Sequence, residues 1–155
     1  MAYKRIMVPV DGSPTAARGM AEAIALAGES GAKLLLLHVV DEYPAFATPE
    51  IGVSVGPLID ALRECGRKVL DDIASAARAS GVQPETSLVE NFGSRVADAI
   101  VGEAARWKAD LIVIGTHGRR GINRAVLGSD ADLVVRYSPV PVLLVPPPGR
   151  ATAAK

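Results

Sequence analysis

The chain has 155 residues, of which 49% are apolar and only 4% aromatic, and its 17 basic residues balance its 17 acidic ones. This length and composition are typical of one globular domain with an aliphatic core. The balanced charge argues against nucleic acid or an anionic membrane surface as the main partner, and the longest apolar run is far shorter than the ~20 residues that cross a bilayer. A single cysteine excludes an internal disulfide framework, and without a signal-peptide core before Asp11 we expect a cytoplasmic protein.

The chain opens with a short apolar run, 6–10, that predicts a buried strand. Pro9 is tolerable there only if the strand is ending, because proline is disfavoured in central strands. Ser13 and Pro14 then predict a helix start, with the serine as cap and the proline at the first helical position. The run 34–40 predicts a second strand buried on both faces.

The segment 42–57 is rich in proline and glycine and predicts a long loop, a kind of segment that often carries function. A helix follows, with an apolar stripe that includes Cys65 and a stop near Ser80 and Gly81. Cys65 is therefore expected in the core. The polar content of 85–91 predicts an edge strand.

A third helix is predicted from 96 to 107, opened by Gly93 and Ser94, and the apolar run 111–114 predicts the next buried strand. A short helix from Ser129 to about Tyr137 and a last apolar strand, 140–145, complete the pattern. The residues 148–155 cannot continue a strand or start a stable helix, so we expect a flexible tail after a single domain of residues 1–147.

Strict alternation of strands and helices predicts an α/β fold: an open parallel sheet with helices on both faces and right-handed crossovers. In such sheets, ligands bind beyond the carboxyl ends of the strands, where the strand order reverses. The sequence contains neither a P-loop nor a dinucleotide-binding glycine fingerprint at a strand end.

The stretch GTHGRRGINRAVLGS, residues 115–129, begins where the strand 111–114 ends and finishes where a helix begins. Gly115 and Gly118 can adopt positive φ and let backbone approach a ligand, while Gly128 and Ser129 open a helix whose free N–H groups attract an anion. Three arginines in the loop, Arg119, Arg120 and Arg124, can neutralise phosphate oxygens. The stretch predicts a phosphate-binding cradle.

Several residues have simpler interpretations that remain open. Gly128 and Ser129 could cap the last helix, with Asp132 completing a capping box, and Asp11 could be a turn residue before Gly12. His117 lies between the loop glycines, but no triad or metal-ligand cluster accompanies it.

Four segments in order carry a family resemblance: KRIMVPVDGSPTA, LLLLHVVDE, ADLIVIGTHGRRGINRAVLGS and SPVPVLLVP. With them the sequence resembles the universal stress proteins, and its G-2x-G-9x-G-S spacing resembles their ATP-binding branch. The resemblance implies a five-stranded parallel sheet of order 3-2-1-4-5, Rossmann-like, with ATP across the ends of strands one and four.

The resemblance also implies roles for single residues. Asp11 would contact the adenine or ribose, Val39 would meet the adenine ring, and the glycines with Ser129 would surround ribose and phosphates. The predicted nucleotide-binding set is Pro9, Val10, Asp11, Val39, Gly115, His117, Gly118, Arg119, Gly128 and Ser129.

The chain departs from the family at Asp130, where a small apolar residue is usual. A carboxylate in the first helical turn opposes a bound phosphate unless an arginine or a divalent cation such as Mg²⁺ or Mn²⁺ lies between them.

The resulting hypothesis is an ATP-binding universal stress protein that acts as a nucleotide-dependent regulator or binding module in the stress response. The alternatives are a slow ATPase or nucleotidyl-transferring enzyme, and a structural stress protein with a vestigial pocket. The apolar last strand, residues 140–145, predicts a homodimer joined through that edge, as the resemblance also implies, and the protein partners are unknown.

Overall fold

The computed structural model of the protein describes residues 3–42, 54–117 and 127–147. Within those residues, strands and helices alternate along the whole chain. The elements are β1 (Arg5–Pro9), α1 (Pro14–Ser30), β2 (Lys33–Asp41), α2 (Val55–Ala79), β3 (Pro84–Asn91), α3 (Val96–Trp107), β4 (Leu111–Gly115), α4 (Ser129–Tyr137) and β5 (Val142–Val145). The strands form one sheet of order β3-β2-β1-β4-β5, and every neighbouring pair is parallel. The predicted fold class and strand order are thus confirmed.

The sheet has a hydrophobic layer on each face. Alternate residues of the central strands point to opposite faces, so that Val8 packs with α1 and α2 while Met7 packs with α3 and α4. Both side chains are almost fully buried. The continuous apolar runs of β1, β2 and β4 are therefore explained by burial on both faces, as the sequence predicts.

The two outer strands are less buried. The predicted edge strand is β3, which pairs only with β2, and the other edge is β5. The apolar run 140–145 also has the pattern of a strand buried on both faces, and this prediction is wrong, because Leu143 is 39% exposed and only Val145 of β5 is buried. The edge position itself is the one that the strand order 3-2-1-4-5 implies.

Helix α2 differs from its prediction in start and rotation. It begins at Val55, so the end of the predicted loop is helical, and the rest of that loop lies outside the described residues. Cys65 is exposed, whereas its neighbour Gly66 is buried with Leu70. The helix turns Gly66 toward the sheet because a residue without a side chain allows the closest approach of the helix backbone.

Ionic contacts connect α2 to the ends of β2 and β3. The Arg63 guanidinium donates to both carboxylate oxygens of Glu90, at 2.7 and 2.9 Å, and lies 3.8 Å from Glu42. Hydrogen bonds from Arg63 hold the pKa of Glu90 below its usual value. Glu42 is 1% exposed and its carboxylate oxygens accept no hydrogen bond from the described residues, among which Arg63 supplies a compensating charge.

Candidate functional site

The strand order reverses at β1, which lies between β2 and β4. The β1–β2 ladder continues to Pro9, whereas the β1–β4 ladder pairs only Ile6 and Met7 within the described residues. After β1 the chain enters α1 on one face of the sheet, and after β4 it reaches α4 on the other. Residues 10–12 and 115–117 therefore border a crevice, the β1/β4 crevice, of the kind that binds ligands in open α/β sheets.

The turn after β1 is held by its own side chains. Asp11 Oδ1 accepts a hydrogen bond from the Ser13 amide at 2.9 Å, and Ser13 Oγ accepts one from the Ala16 amide at 3.1 Å. Ser13 is therefore the N-cap of α1 and Pro14 its first residue, as predicted. Asp11 is thus also a turn residue, as its simpler interpretation predicts, through the hydrogen bond that its Oδ1 accepts.

Gly12 belongs to this turn and is absent from the predicted site. Its φ of 79° lies in the left-handed region, where a side chain is strained. The signal for it was present in the sequence, because an Asp-Gly pair between a strand and a helix is typical of such a turn.

Gly115 ends β4 at the border of the crevice, but for a different reason from the one predicted. It does not adopt positive φ. A Cβ atom at Gly115 would lie 2.8 Å from Thr15 Cγ2 and 3.2 Å from the Thr15 backbone. Glycine is therefore required here because the first turn of α1 packs directly on the end of β4.

The two ends of the predicted phosphate loop are joined. The Gly128 amide donates to the Thr116 carbonyl at 2.8 Å, and the Thr116 amide donates to the Val145 carbonyl at 2.9 Å. The start of α4 is thus fixed beside the ends of β4 and β5. Gly128 has a φ of −59° and a ψ of 146°, so this position also does not need glycine for its backbone conformation.

Helix α4 begins at Ser129 with Gly128 as its N-cap, and no side chain of the described residues caps it. The predicted capping box does not form: the cap position is Gly128, which has no side chain, and Asp132 pairs with Arg136 at 2.9 Å. A helix start at this position, with its backbone N–H groups and the helix dipole, is a candidate anion site. The described N-termini of α2 and α3 also lack side-chain caps, so what distinguishes α4 is its position beside the crevice.

The remaining predicted nucleotide-binding residues lie on several different elements. Val10 is buried directly after β1, and Val39 is half-buried on the neighbouring strand, opposite Val89 of β3. His117 follows β4, with its Nδ1 2.9 Å from Thr116 Oγ1. Gly118 and Arg119 lie outside the described residues, as do Arg120 and Arg124.

The acidic residues Asp130 and Asp132 lie in the first turn of α4. Among the described residues no group of three histidine, cysteine or acidic side chains could hold a metal ion. A divalent cation at this site would need phosphate oxygens to complete its coordination, with a carboxylate such as that of Asp130 beside them. Mg²⁺ commonly binds proteins in this way.

Clear pKa shifts occur in the ion pairs of α2, β3 and α3. A hydrogen bond from Arg106, assisted by one from Ser87, holds the pKa of Glu103 below its usual value. A hydrogen bond from Arg95 has the same effect on the pKa of Asp98. These shifts favour the charged carboxylates and are typical of structural ion pairs, whereas a general acid needs a raised pKa.

Among the described residues, no helix has both the length and the apolar character needed to cross a bilayer.

The parallel sheet and the crevice at its strand-order reversal define an open, doubly wound α/β protein with a candidate ligand site at the carboxyl edge. Comparison with known protein families matches residues 2–146 to the universal stress protein family. The chain belongs to this family.

Individual relatives agree with this assignment. A universal stress protein of Methanocaldococcus jannaschii is 36% identical over 146 residues, covering 94% of this chain and 84% of the relative. A universal stress protein solved in complex with cAMP is 28% identical, with a TM-score of 0.66 and coverage of 96% of this chain and 100% of the other. The universal stress protein from Archaeoglobus fulgidus in complex with dAMP is 27% identical, with a TM-score of 0.65 and coverage of 94% and 99%.

Proposed function

We propose that this universal stress protein binds ATP in the β1/β4 crevice and acts as a nucleotide-dependent regulator in the stress response, in the cytoplasm. The adenosine part lies against the β1 turn at Asp11 and the end of β2 at Val39. The phosphates lie against the loop after β4 and the first turn of α4. Solved relatives bound to cAMP and dAMP support an adenine nucleotide as the ligand.

One observation carries this proposal: the N-terminus of α4 is fixed beside the end of β4 by the hydrogen bond from the Gly128 amide to the Thr116 carbonyl. Backbone N–H groups at a helix start, together with the helix dipole, favour a negative charge at that point. The crevice opens on the same side, so a nucleotide there can place its phosphates at α4 while its base lies toward β2.

Binding rather than catalysis is the proposed role. The described polar groups nearest the crevice have local structural partners, since Asp11 accepts from the Ser13 amide and His117 lies beside Thr116. Hydrolysis needs a group that positions the attacking water. Slow ATP turnover is tested by following ADP release over hours in the wild-type protein with Mg²⁺.

The test of ligand identity is a calorimetric titration of the protein with ATP, ADP, AMP, cAMP and dAMP, each with and without Mg²⁺. We expect saturable binding, strongest for ATP with Mg²⁺, and amide chemical-shift changes at Gly12, Gly115 and Ser129. GTP is the matched control for the base. No binding of any adenine nucleotide at millimolar concentration would overturn the proposal and favour a vestigial pocket.

The proposal includes a homodimer joined through β5, by antiparallel pairing of this strand from each chain. Among the described strands, β5 pairs only with β4, which leaves its other edge available to a second chain. Exposed apolar side chains lie on this strand and on the neighbouring α4, at Leu143, Val135 and Tyr137.

The dimer is tested by sedimentation of the wild-type protein and of Leu143→Lys at micromolar concentration. The charge at an exposed edge position should shift the population to monomers. Leu58→Lys is the control, because Leu58 lies on α2 and is 48% exposed, close to the 39% of Leu143. A monomeric wild-type protein, or equal effects of the two substitutions, would contradict this interface.

A further inference from the structure

The buried ring of His38 connects the end of β1 to α2. Its Nδ1 lies 2.9 Å from the carbonyl oxygen of Val10, the residue directly before Asp11. A carbonyl oxygen only accepts hydrogen bonds, so Nδ1 carries the proton and donates it. His38 is on β2 and is 9% exposed.

Both backbone polar groups of Val10 are bonded to β2. Its amide donates to the Leu37 carbonyl at 2.8 Å, and its carbonyl accepts from the His38 ring. The β1–β2 ladder ends one residue earlier, at Pro9 opposite Leu37. The orientation of the peptide between Val10 and Asp11 is therefore set by a side chain rather than by the regular ladder.

Helix α2 holds the ring in this position. A Cβ atom at Gly66 would lie 2.6 Å from Cδ2 and 3.0 Å from Nε2 of His38, so the helix backbone packs directly against the edge of the ring that carries these atoms. One turn earlier, Arg63 binds Glu90 and so ties the helix to β3. A shift of α2 along the sheet would therefore displace the imidazole.

We propose that His38 is a positioning residue for the nucleotide site, acting through the Val10 carbonyl on the turn that carries Asp11. The inference rests on the proposed function, because it assigns a role toward the same ligand. Asp11 and Ser13 form a rigid turn through the hydrogen bond between them. Rotation of the preceding peptide would move this turn as a unit and displace the Asp11 carboxylate from the nucleotide.

The first experiment compares ATP affinities of the wild-type protein, His38→Asn, His38→Gln and His38→Leu. The Asn amide nitrogen occupies the δ position and can donate to Val10, the Gln nitrogen lies one bond further out, and Leu has no donor. Loss of one buried hydrogen bond corresponds to a loss of affinity of about fivefold. We expect that loss in the Gln and Leu variants and recovery to within about twofold in the Asn variant.

A second pair of variants tests the position of the His38 ring while keeping the histidine itself. Gly66→Ala forces the ring or Leu88 to move and should weaken ATP binding by about fivefold as well. Gly102→Ala in α3 is its control, because nothing lies within 4 Å of a Cβ atom there. Equal affinities of these two variants, or equal affinities of the Asn and Leu variants at position 38, would overturn the proposal.

A measurement without nucleotide separates this inference from the proposed function. The ¹⁵N shifts of the His38 ring in the wild-type protein should report a protonated Nδ1, and the amide shifts of Gly12 and Ser13 should change in His38→Gln but not in His38→Asn. An unprotonated Nδ1 would contradict the positioning role even if ATP binds. Failure of the wild-type protein to bind ATP would instead contradict the proposed function and leave the ring measurement valid.

Discussion

Two helix N-termini border the β1/β4 crevice, and they differ in their capping. At the start of α1, the Ser13 hydroxyl accepts a hydrogen bond from the Ala16 amide, and Pro14 has no amide hydrogen to donate. The start of α4 follows Gly128 and has no side-chain cap among the described residues. A capped helix start contributes stability, whereas a helix start beside a ligand crevice can direct its N–H groups at an anion. Under the proposed function, α1 supports the site and α4 is the helix start that meets the phosphates.

The largest expected effect comes from Gly115→Ala, which disturbs the packing of the first turn of α1 on the end of β4. The new methyl group would overlap Thr15 in the first turn of α1. We expect a loss of about 1–3 kcal/mol in the free energy of unfolding, measured in urea, because overpacking forces neighbours to move.

Gly19→Ala is the matched control for this substitution. Its Cβ atom would lie 3.7 Å from the Gly115 nitrogen, an ordinary contact at the same place in the fold. The stability of this variant should equal or exceed that of the wild type, since alanine favours a helix more than glycine does. Equal destabilisation of both variants would contradict the packing role of Gly115.

The second prediction gives α4 the kind of cap that α1 has. Asn at position 128 can adopt the observed backbone angles and accept hydrogen bonds from the first-turn amides. Gly128→Asn should leave the free energy of unfolding unchanged or raise it by a few tenths of a kcal/mol. It should weaken ATP binding by about tenfold, because the phosphate loses about one charge-assisted hydrogen bond from a first-turn amide. Calorimetry and urea unfolding measure the two effects, and Gly128→Ala, without a cap, is the control.

The third prediction removes the cap from α1. Ser13→Ala should lower the free energy of unfolding by about 1 kcal/mol, because the Ala16 amide loses its acceptor at a buried position. ATP affinity should change by less than about twofold if this helix start only supports the site. A large loss of affinity with unchanged stability would show that Ser13 itself binds the ligand.

The smallest expected effect concerns the charge at α4. Asp130 lies in the first turn and repels a phosphate there when no cation intervenes. Asp130→Asn should therefore strengthen ATP binding about threefold without Mg²⁺, and less at high salt, where exposed charges are screened. Binding in EDTA and in excess Mg²⁺ checks this, with Asp132→Asn as the control, since the Asp132 carboxylate already pairs with Arg136.

Several features of the fold and site could be predicted from the sequence because their signals are local. The cap and the proline at the start of α1 were identified from adjacent residues, and the edge position of β3 follows from its polar composition. The rotation of α2 could not be predicted, since its apolar stripe included the exposed Cys65 and missed the buried Gly66. Which face of a helix is buried depends on the sheet surface it meets, and that surface is formed by residues distant in the chain.

The sequence by itself determined the order of the elements and the family, because periodicity, caps and glycine spacing are written in neighbouring residues. Only the tertiary structure decided why particular residues are needed. Gly115 gives space to Thr15, which lies 100 positions earlier in the chain, and Gly66 gives space to His38, which lies 28 positions earlier. Such contacts arise when distant segments pack, so the residue that needs the space cannot be recognised from the sequence around the glycine that provides it.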